Sequence, residues 1–139
     1  MSDENQELMV PAELDRLPEV LSFLEQLLEE ADCPLKAQMQ ITVAAEEVFV
    51  NIASYAYAPG TGMVTVRAEI LENPRRATVT FADSGIPFNP LEKDDPDVTL
   101  SAEERQIGGL GIYMTKKVMD EVRYAYQDNQ NVMTLTKMI

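Results

Sequence analysis

The stretch Ala77-Thr78-Val79-Thr80-Phe81-Ala82-Asp83-Ser84-Gly85-Ile86-Pro87-Phe88-Asn89-Pro90 decides how the rest of the chain is read. Ala77, Val79 and Phe81 alternate with Thr78 and Thr80, which predicts a strand with one buried face ending at Asp83. Gly85 and the prolines that follow stop regular structure, leaving a carboxylate fixed on a rigid edge beside a loop. An ionised Asp accepts hydrogen bonds and donates none, so it suits an amino group such as the one on adenine. Taken alone, Asp83-Ser84-Gly85 is more simply a turn at a sheet edge.

Working outward, Val64, Val66, Ala68 and Ile70 alternate with Thr65, Arg67 and Glu69. They predict the preceding strand of an antiparallel hairpin, turned at Glu72-Asn73-Pro74-Arg75. Before it, the spacing predicts a helix over 35–57, with Ile41, Ala44, Ala45, Val48, Ile52 and Ala56 as its apolar face. Glu47, Asn51 and Ser54 form a polar stripe at i, i+4 and i+7, on one side of that helix. Most such stripes are solvated faces. This one is narrow and flanked by Val43, Phe49 and Val50, and a helix apolar nearly all round is largely buried. An acid and an amide there need partners, or they line a cleft. A first helix is expected over 14–31 from Leu17, Val20, Leu21, Leu24, Leu27, Leu28 and Ala31, with Pro18 tolerated in its first turn. Residues 6–11 read as a short edge strand stopped by Pro11.

Downstream, residues 84–108 show little periodicity and contain Pro87, Pro90, Pro96 and the acids Glu92, Asp94, Asp95 and Asp97. A loop this long in a compact domain is usually a lid or disordered, with room for a short helix over Ser101–Arg105. Gly108-Gly109-Leu110-Gly111 then feeds a helix through Asp120. Glycines let a backbone approach an anion, and the free N–H groups at a helix start carry partial positive charge. Glycines also make ordinary helix-entry turns. The motif is neither a Walker A loop nor a dinucleotide fingerprint, lacking Gly-Lys-Ser/Thr and the strand–turn–helix context. Val122–Tyr126 and Val132–Met138, with a turn at Asp128-Asn129-Gln130, read as a closing hairpin. The order β-α-α-β-β-loop-α-β-β predicts an α+β two-layer sandwich over residues 1–139, one domain with helices on one face of a mainly antiparallel mixed sheet.

Composition narrows the functions. The 139 residues carry a net charge of −13, from 24 acids and 11 bases, which repels nucleic-acid backbones and anionic membranes. An anionic ligand therefore needs local help from Arg, Lys, backbone N–H groups or a metal. The chain contains no histidine, so a Ser-His-Asp triad, a Cys-His pair, a His-ligated zinc and a phospho-accepting histidine are excluded within it. Any general base must be Asp, Glu, Lys or Tyr. The lone Cys33 forms no internal disulfide, and the acidic start and lack of a long apolar run argue against a signal peptide or membrane span. A cytoplasmic protein is expected.

Three segments in order carry a family resemblance. Glu47-Val48-Phe49-Val50-Asn51 resembles the asparagine box of the GHKL ATPase superfamily, the Bergerat ATP-binding fold. Asp83-Ser84-Gly85-Ile86-Pro87-Phe88 and Gly108-Gly109-Leu110-Gly111-Ile112 look like its two glycine boxes. Asn51–Tyr57, the Gly-Ile-Pro-Phe-Asn-Pro stretch and Met119-Asp120-Glu121-Val122 are most similar to anti-sigma-factor serine/threonine kinases. The resemblance implies that Asn51 holds Mg²⁺ and that Glu47 is the general base toward a substrate serine. It implies that Asp83 accepts from the adenine amino group and that Gly85 lets the base lie against the backbone. Gly109, Leu110 and Gly111 would surround the ATP phosphates, and Arg105 would reach the terminal one. A sigma factor, an anti-sigma antagonist and a second copy of the chain are the implied partners. Two departures stand out: Tyr55 occupies a position where relatives often carry His, and Asn131-Val132-Met133-Thr134-Leu135 lacks the usual Gly-Thr. An ATP-binding module that controls partner affinity without phosphoryl transfer is the competing reading. A sensor histidine kinase catalytic module fits less well, since the chain has no acceptor histidine.

Overall fold

Alternating hydrophobic residues build a five-stranded sheet in the computed structural model, which describes residues 5–58, 60–92 and 109–139. The strands are β1 (Asn5–Pro11), β2 (Met63–Leu71), β3 (Arg76–Asp83), β4 (Glu121–Gln127) and β5 (Gln130–Met138), in the spatial order β1-β2-β3-β5-β4. Every neighbouring pair is antiparallel, so the mainly antiparallel sheet expected from sequence has no parallel pair among the described strands. The last hairpin turns back so that β5, not β4, lies against β3. That placement sets Asn131 directly opposite Asp83.

Helices α1 (Leu17–Glu30), α2 (Leu35–Asn51) and α3 (Gly109–Val118) cover one face of the sheet. The core joins Val20, Leu24 and Leu28 of α1 and Ile41, Ala45 and Phe49 of α2 to Val66, Val79, Phe81 and Leu135 of the sheet. Each of these Val, Leu, Ile and Phe side chains, fully buried, contributes roughly 1.5–3 kcal/mol of transfer free energy. Pro18 sits in the first turn of α1, where its missing N–H costs nothing, behind a short 3₁₀ turn at Leu14–Arg16. The guanidinium of Arg75, from the β2–β3 turn, donates to the Ala31 carbonyl at 2.8 Å and so caps the end of α1. Lys137 of β5 does the same for α3, donating to the Val118 carbonyl at 2.7 Å.

Two features of α2 differ from the sequence reading. The helix does not run regularly to 57: it is α-helical to Asn51 and then widens into a π turn over Ile52–Ala56. It is also not buried all round, since Val43 is 51% exposed and Leu35 and Met39 are exposed beside it. A two-layer fold supplies a sheet below the helix and helices at its flanks, but nothing on its outer side. The expected short helix over Ser101–Arg105, Arg105 itself and Gly108 lie outside the described residues.

Candidate functional site

A pocket of about 300 Å³ opens between the C-terminal end of α2, the start of α3 and the ends of β3, β4 and β5. Its lining is mostly apolar, including Val48, Ile52, Ile86, Phe88, Ile112 and Met133, with Asn51, Asp83 and Asn131 as polar points. An apolar cavity with a few placed polar groups is the usual form of a small-molecule site.

Asp83 lies at one end. It is 4% exposed, at the inward-facing end of β3. Its Oδ1 accepts from the Gly85 N–H at 2.9 Å and from the Asn131 side-chain amide at 3.0 Å. Its Oδ2 has no partner among the described residues. A buried, unsatisfied acceptor is costly unless a ligand donor meets it. The carboxylate therefore presents one free acceptor to the cavity, which fits an exocyclic amino group. The turn reading and the site reading are both correct here: the Asp83–Gly85 hydrogen bond is the turn, and it orients the other oxygen.

The loop after Asp83 is held close to α2. Ile86 N–H donates to the Ala56 carbonyl at 3.0 Å. A Cβ on Gly85 would stand 2.3 Å from that same carbonyl oxygen, so only glycine allows the loop and the π turn to meet. Sequence reasoning expected Gly85 to make room for the base. Its side-chain direction is instead filled by the Ala56 backbone. Tyr57 completes the junction: its hydroxyl donates to the Met63 carbonyl at 2.6 Å and accepts from Ser84 N–H at 2.7 Å.

At the other end, Asn51 lines the pocket from the last turn of α2, just before the π turn. π turns within helices recur at functional sites because they redirect the side chains around them. The Asn51 side chain is half-buried and unpartnered among the described residues, leaving its oxygen available to a cation. Glu47 stands one helical turn earlier and is also half-buried, with no donor or cation to meet it among the described residues. Burial, and secondarily the charge of Glu46, raises its carboxyl above the ordinary value of 4.5. Ser54, the third member of the predicted stripe, is absent from the lining. No cluster of three or more acids, cysteines or histidines able to hold a metal occurs among the described residues. A divalent cation here would lean on Asn51 and on ligand oxygens.

Gly109, Leu110 and Gly111 form the first turn of α3, whose Ile112 lines the pocket. Backbone N–H groups in the first turn of a helix lack intrahelical acceptors and carry partial positive charge, so this turn is suited to an anion. Lys116 and Lys117 lie in the last turn of α3, and Lys117 stacks over the Tyr113 ring at 5.3 Å. The structure thus brings Asn51, Asp83 and Ile112 of α3 around one cavity, with Glu47 one turn along α2. Sequence reasoning did not assign Asn131, Tyr124 or Tyr57 to the site. A polar residue at the inward parity of β5, in line with Met133 and Leu135, was the available signal for Asn131.

Fold and pocket together define a two-layer α+β module with a small-molecule cavity at the end of its central helix. The chain belongs to the histidine kinase-like ATPase domain family, whose model matches residues 10–137. It is 24% identical over 136 residues to the serine/threonine-protein kinase BtrW of Bordetella bronchiseptica, covering 98% of this chain and 95% of that protein. It is 29% identical over 101 residues to the serine-protein kinase RsbW of Bacillus thuringiensis, covering 70% of this chain and 61% of that protein. Among solved structures, the histidine kinase domain of the Erythrobacter litoralis EL346 blue-light activated histidine kinase superposes with a TM-score of 0.59 at 14% identity. That match covers 93% of this chain and 61% of the other, and it bears on the fold alone.

Proposed function

We propose that this protein is an ATP-dependent protein serine kinase acting as an anti-sigma factor, which binds a sigma factor and phosphorylates a serine of an anti-sigma antagonist. The observation that carries the kinase reading is the pairing of Glu47 and Asn51 one turn apart on α2, both without partners among the described residues, with Asn51 in the pocket. The relatives named as serine kinases support the same reading.

In this mechanism the adenine amino group donates to Asp83 Oδ2, and the phosphates lie along the first turn of α3 at Gly109, Leu110 and Gly111. Asn51 would hold Mg²⁺ through its side-chain oxygen. Such an ion would supply neutralisation of phosphate charge, which this acidic chain otherwise repels. Glu47 takes the proton from the acceptor serine as its oxygen bonds to the γ-phosphorus and the bond to the β–γ bridging oxygen breaks, releasing ADP. A carboxyl raised by burial accepts that proton more readily than an ordinary one. Arg105 offsets the charge developing on the transferred group. The protein works in the cytoplasm, as a homodimer. No helix among the described residues is long and apolar enough to cross a membrane.

The test is transfer from labelled ATP to the serine of a co-purifying antagonist, with wild type and Glu47→Ala. Transfer by wild type and its loss in the variant are expected. Undiminished transfer in Glu47→Ala removes the base assignment. ATP binding without transfer to any partner favours the purely regulatory module.

A further inference from the structure

Asn131 is a fully bonded polar side chain beside the pocket. It is 7% exposed and stands at the start of β5, opposite Asp83 in the sheet. Its amide nitrogen donates to Asp83 Oδ1 at 3.0 Å and to the Ile86 carbonyl at 2.9 Å, with a longer, shared bond to the Gly85 carbonyl at 3.5 Å. Its amide oxygen accepts from Phe88 N–H at 3.1 Å and from the Tyr124 hydroxyl. Two donors and two acceptor positions are the whole capacity of a primary amide, so nothing is left over for a ligand. The same bonds reach both the carboxylate and the loop carrying Ile86 and Phe88, which line the cavity beside it. One of them comes from β4, the outermost strand, through Tyr124.

We propose that Asn131, clamped by Tyr124, is a positioning residue that makes the base end of the pocket selective for a 6-amino purine over a 6-oxo purine. By occupying Asp83 Oδ1 it leaves Oδ2 as the single free oxygen, and by tying Ile86 and Phe88 it fixes the apolar wall against which a base rests. A 6-oxo purine carries an acceptor where adenine carries a donor, so it sets an oxygen against that fixed carboxylate. Were Asp83 free to rotate and the loop to relax, water would enter between them and the penalty would shrink. This assignment rests on the ATP-binding reading of the pocket.

The experiment is calorimetric titration of ADP and of IDP, which differ only at the 6-position and its neighbouring nitrogen, into wild type, Asn131→Leu and Tyr124→Phe. Asn131→Leu keeps most of the side-chain volume and removes every one of these hydrogen bonds. Tyr124→Phe removes one hydroxyl and retains the ring. In Asn131→Leu, ADP affinity is expected to fall by about tenfold or more while IDP affinity hardly changes, so the ADP:IDP ratio approaches one. In Tyr124→Phe the same ratio is expected to fall by about three- to fivefold. A wild-type ratio in folded Tyr124→Phe, or an equal loss of both ligands in either variant, overturns the proposal. If Asn131→Leu does not fold, Tyr124→Phe alone decides. Wild type that binds no ADP removes the ATP-binding reading itself, a result distinct from binding with an unchanged ratio.

Discussion

At the scale of single residues, Glu47 and Asp83 show opposite ways of holding a carboxylate. Glu47 is half-buried and unpartnered among the described residues, and its raised carboxyl means that the folded chain holds this proton more tightly than the unfolded one. Between the unfolded value and the raised folded one, stability therefore falls as pH rises, and at neutral pH the ionised group is a net cost. Glu47→Gln should raise Tm by at most a few degrees at neutral pH, with the gain vanishing below about pH 4. The same variant should slow serine phosphorylation by about 10²–10⁴-fold with ATP binding retained. Scanning calorimetry at two pH values and labelled-ATP assays check both halves, and a lower Tm at neutral pH would contradict the buried, unpaired carboxylate. Asp83 is fully buried but half-satisfied. In Asp83→Asn the amide oxygen can keep the bonds from Gly85 and Asn131, while an NH₂ replaces the free Oδ2. ATP affinity should drop by about 10- to 100-fold with Tm nearly unchanged. Unaltered affinity in titration calorimetry would return Asp83 to a plain turn. Both residues were legible in the sequence because a strand end and an i, i+4 helix pair are local facts. Asn131 was not assigned, because all its partners but Tyr124 lie 43 to 48 residues away along the chain.

At the scale of elements, the decisive junction is the π turn against the loop after β3. Helical periodicity predicts regular helix to residue 57, and the apolar residues Ile52 and Ala56 fit that pattern. The π turn coincides with bonds made from outside the helix: the Ala56 carbonyl accepts from Ile86, and Tyr57 bridges Met63 and Ser84. No local pattern encodes such partners. Gly85→Ala should destabilise the fold by about 1–3 kcal/mol, because the clash is with the Ala56 backbone rather than with a flexible side chain. Urea unfolding measures this, and a loss well under 1 kcal/mol would mean the loop moves aside at little cost. Tyr57→Phe removes two hydrogen bonds and leaves Ser84 N–H and the Met63 carbonyl to solvent, so a loss of about 1–2 kcal/mol is expected. Gly62 belongs to the same junction, since a Cβ there would meet the Tyr57 ring at 2.2 Å.

At the scale of the molecule, a chain of net charge −13 has to attract a polyanionic ligand. In the proposed reading that charge would be met locally, by the N-terminal turn of α3 and the Asn51 amide on α2, rather than by a basic surface. Binding to the folded state alone stabilises it by mass action. Saturation with Mg-ATP at about 100 times its Kd should therefore add about 2.7 kcal/mol, read as a rise in Tm. ATP with a chelator should add distinctly less. Equal shifts with and without Mg²⁺ would show that charge neutralisation by the cation is unnecessary.

The alternation of strands, the spacing of helices and the placing of glycines and prolines determined by themselves the α+β class, the element order and the positions of Glu47, Asn51, Asp83 and the α3 glycines. These are properties of neighbours in the chain, set by backbone geometry and by which face must leave water. Only the tertiary structure decided that β5 lies against β3, that Asn131 therefore faces Asp83, and that the Ala56 backbone fills the space beside Gly85. It also left the outer side of α2 open, where the sequence alone implied burial. Hydrogen bonds between residues far apart in sequence depend on strand register and layer packing, and those are settled only when the whole core closes.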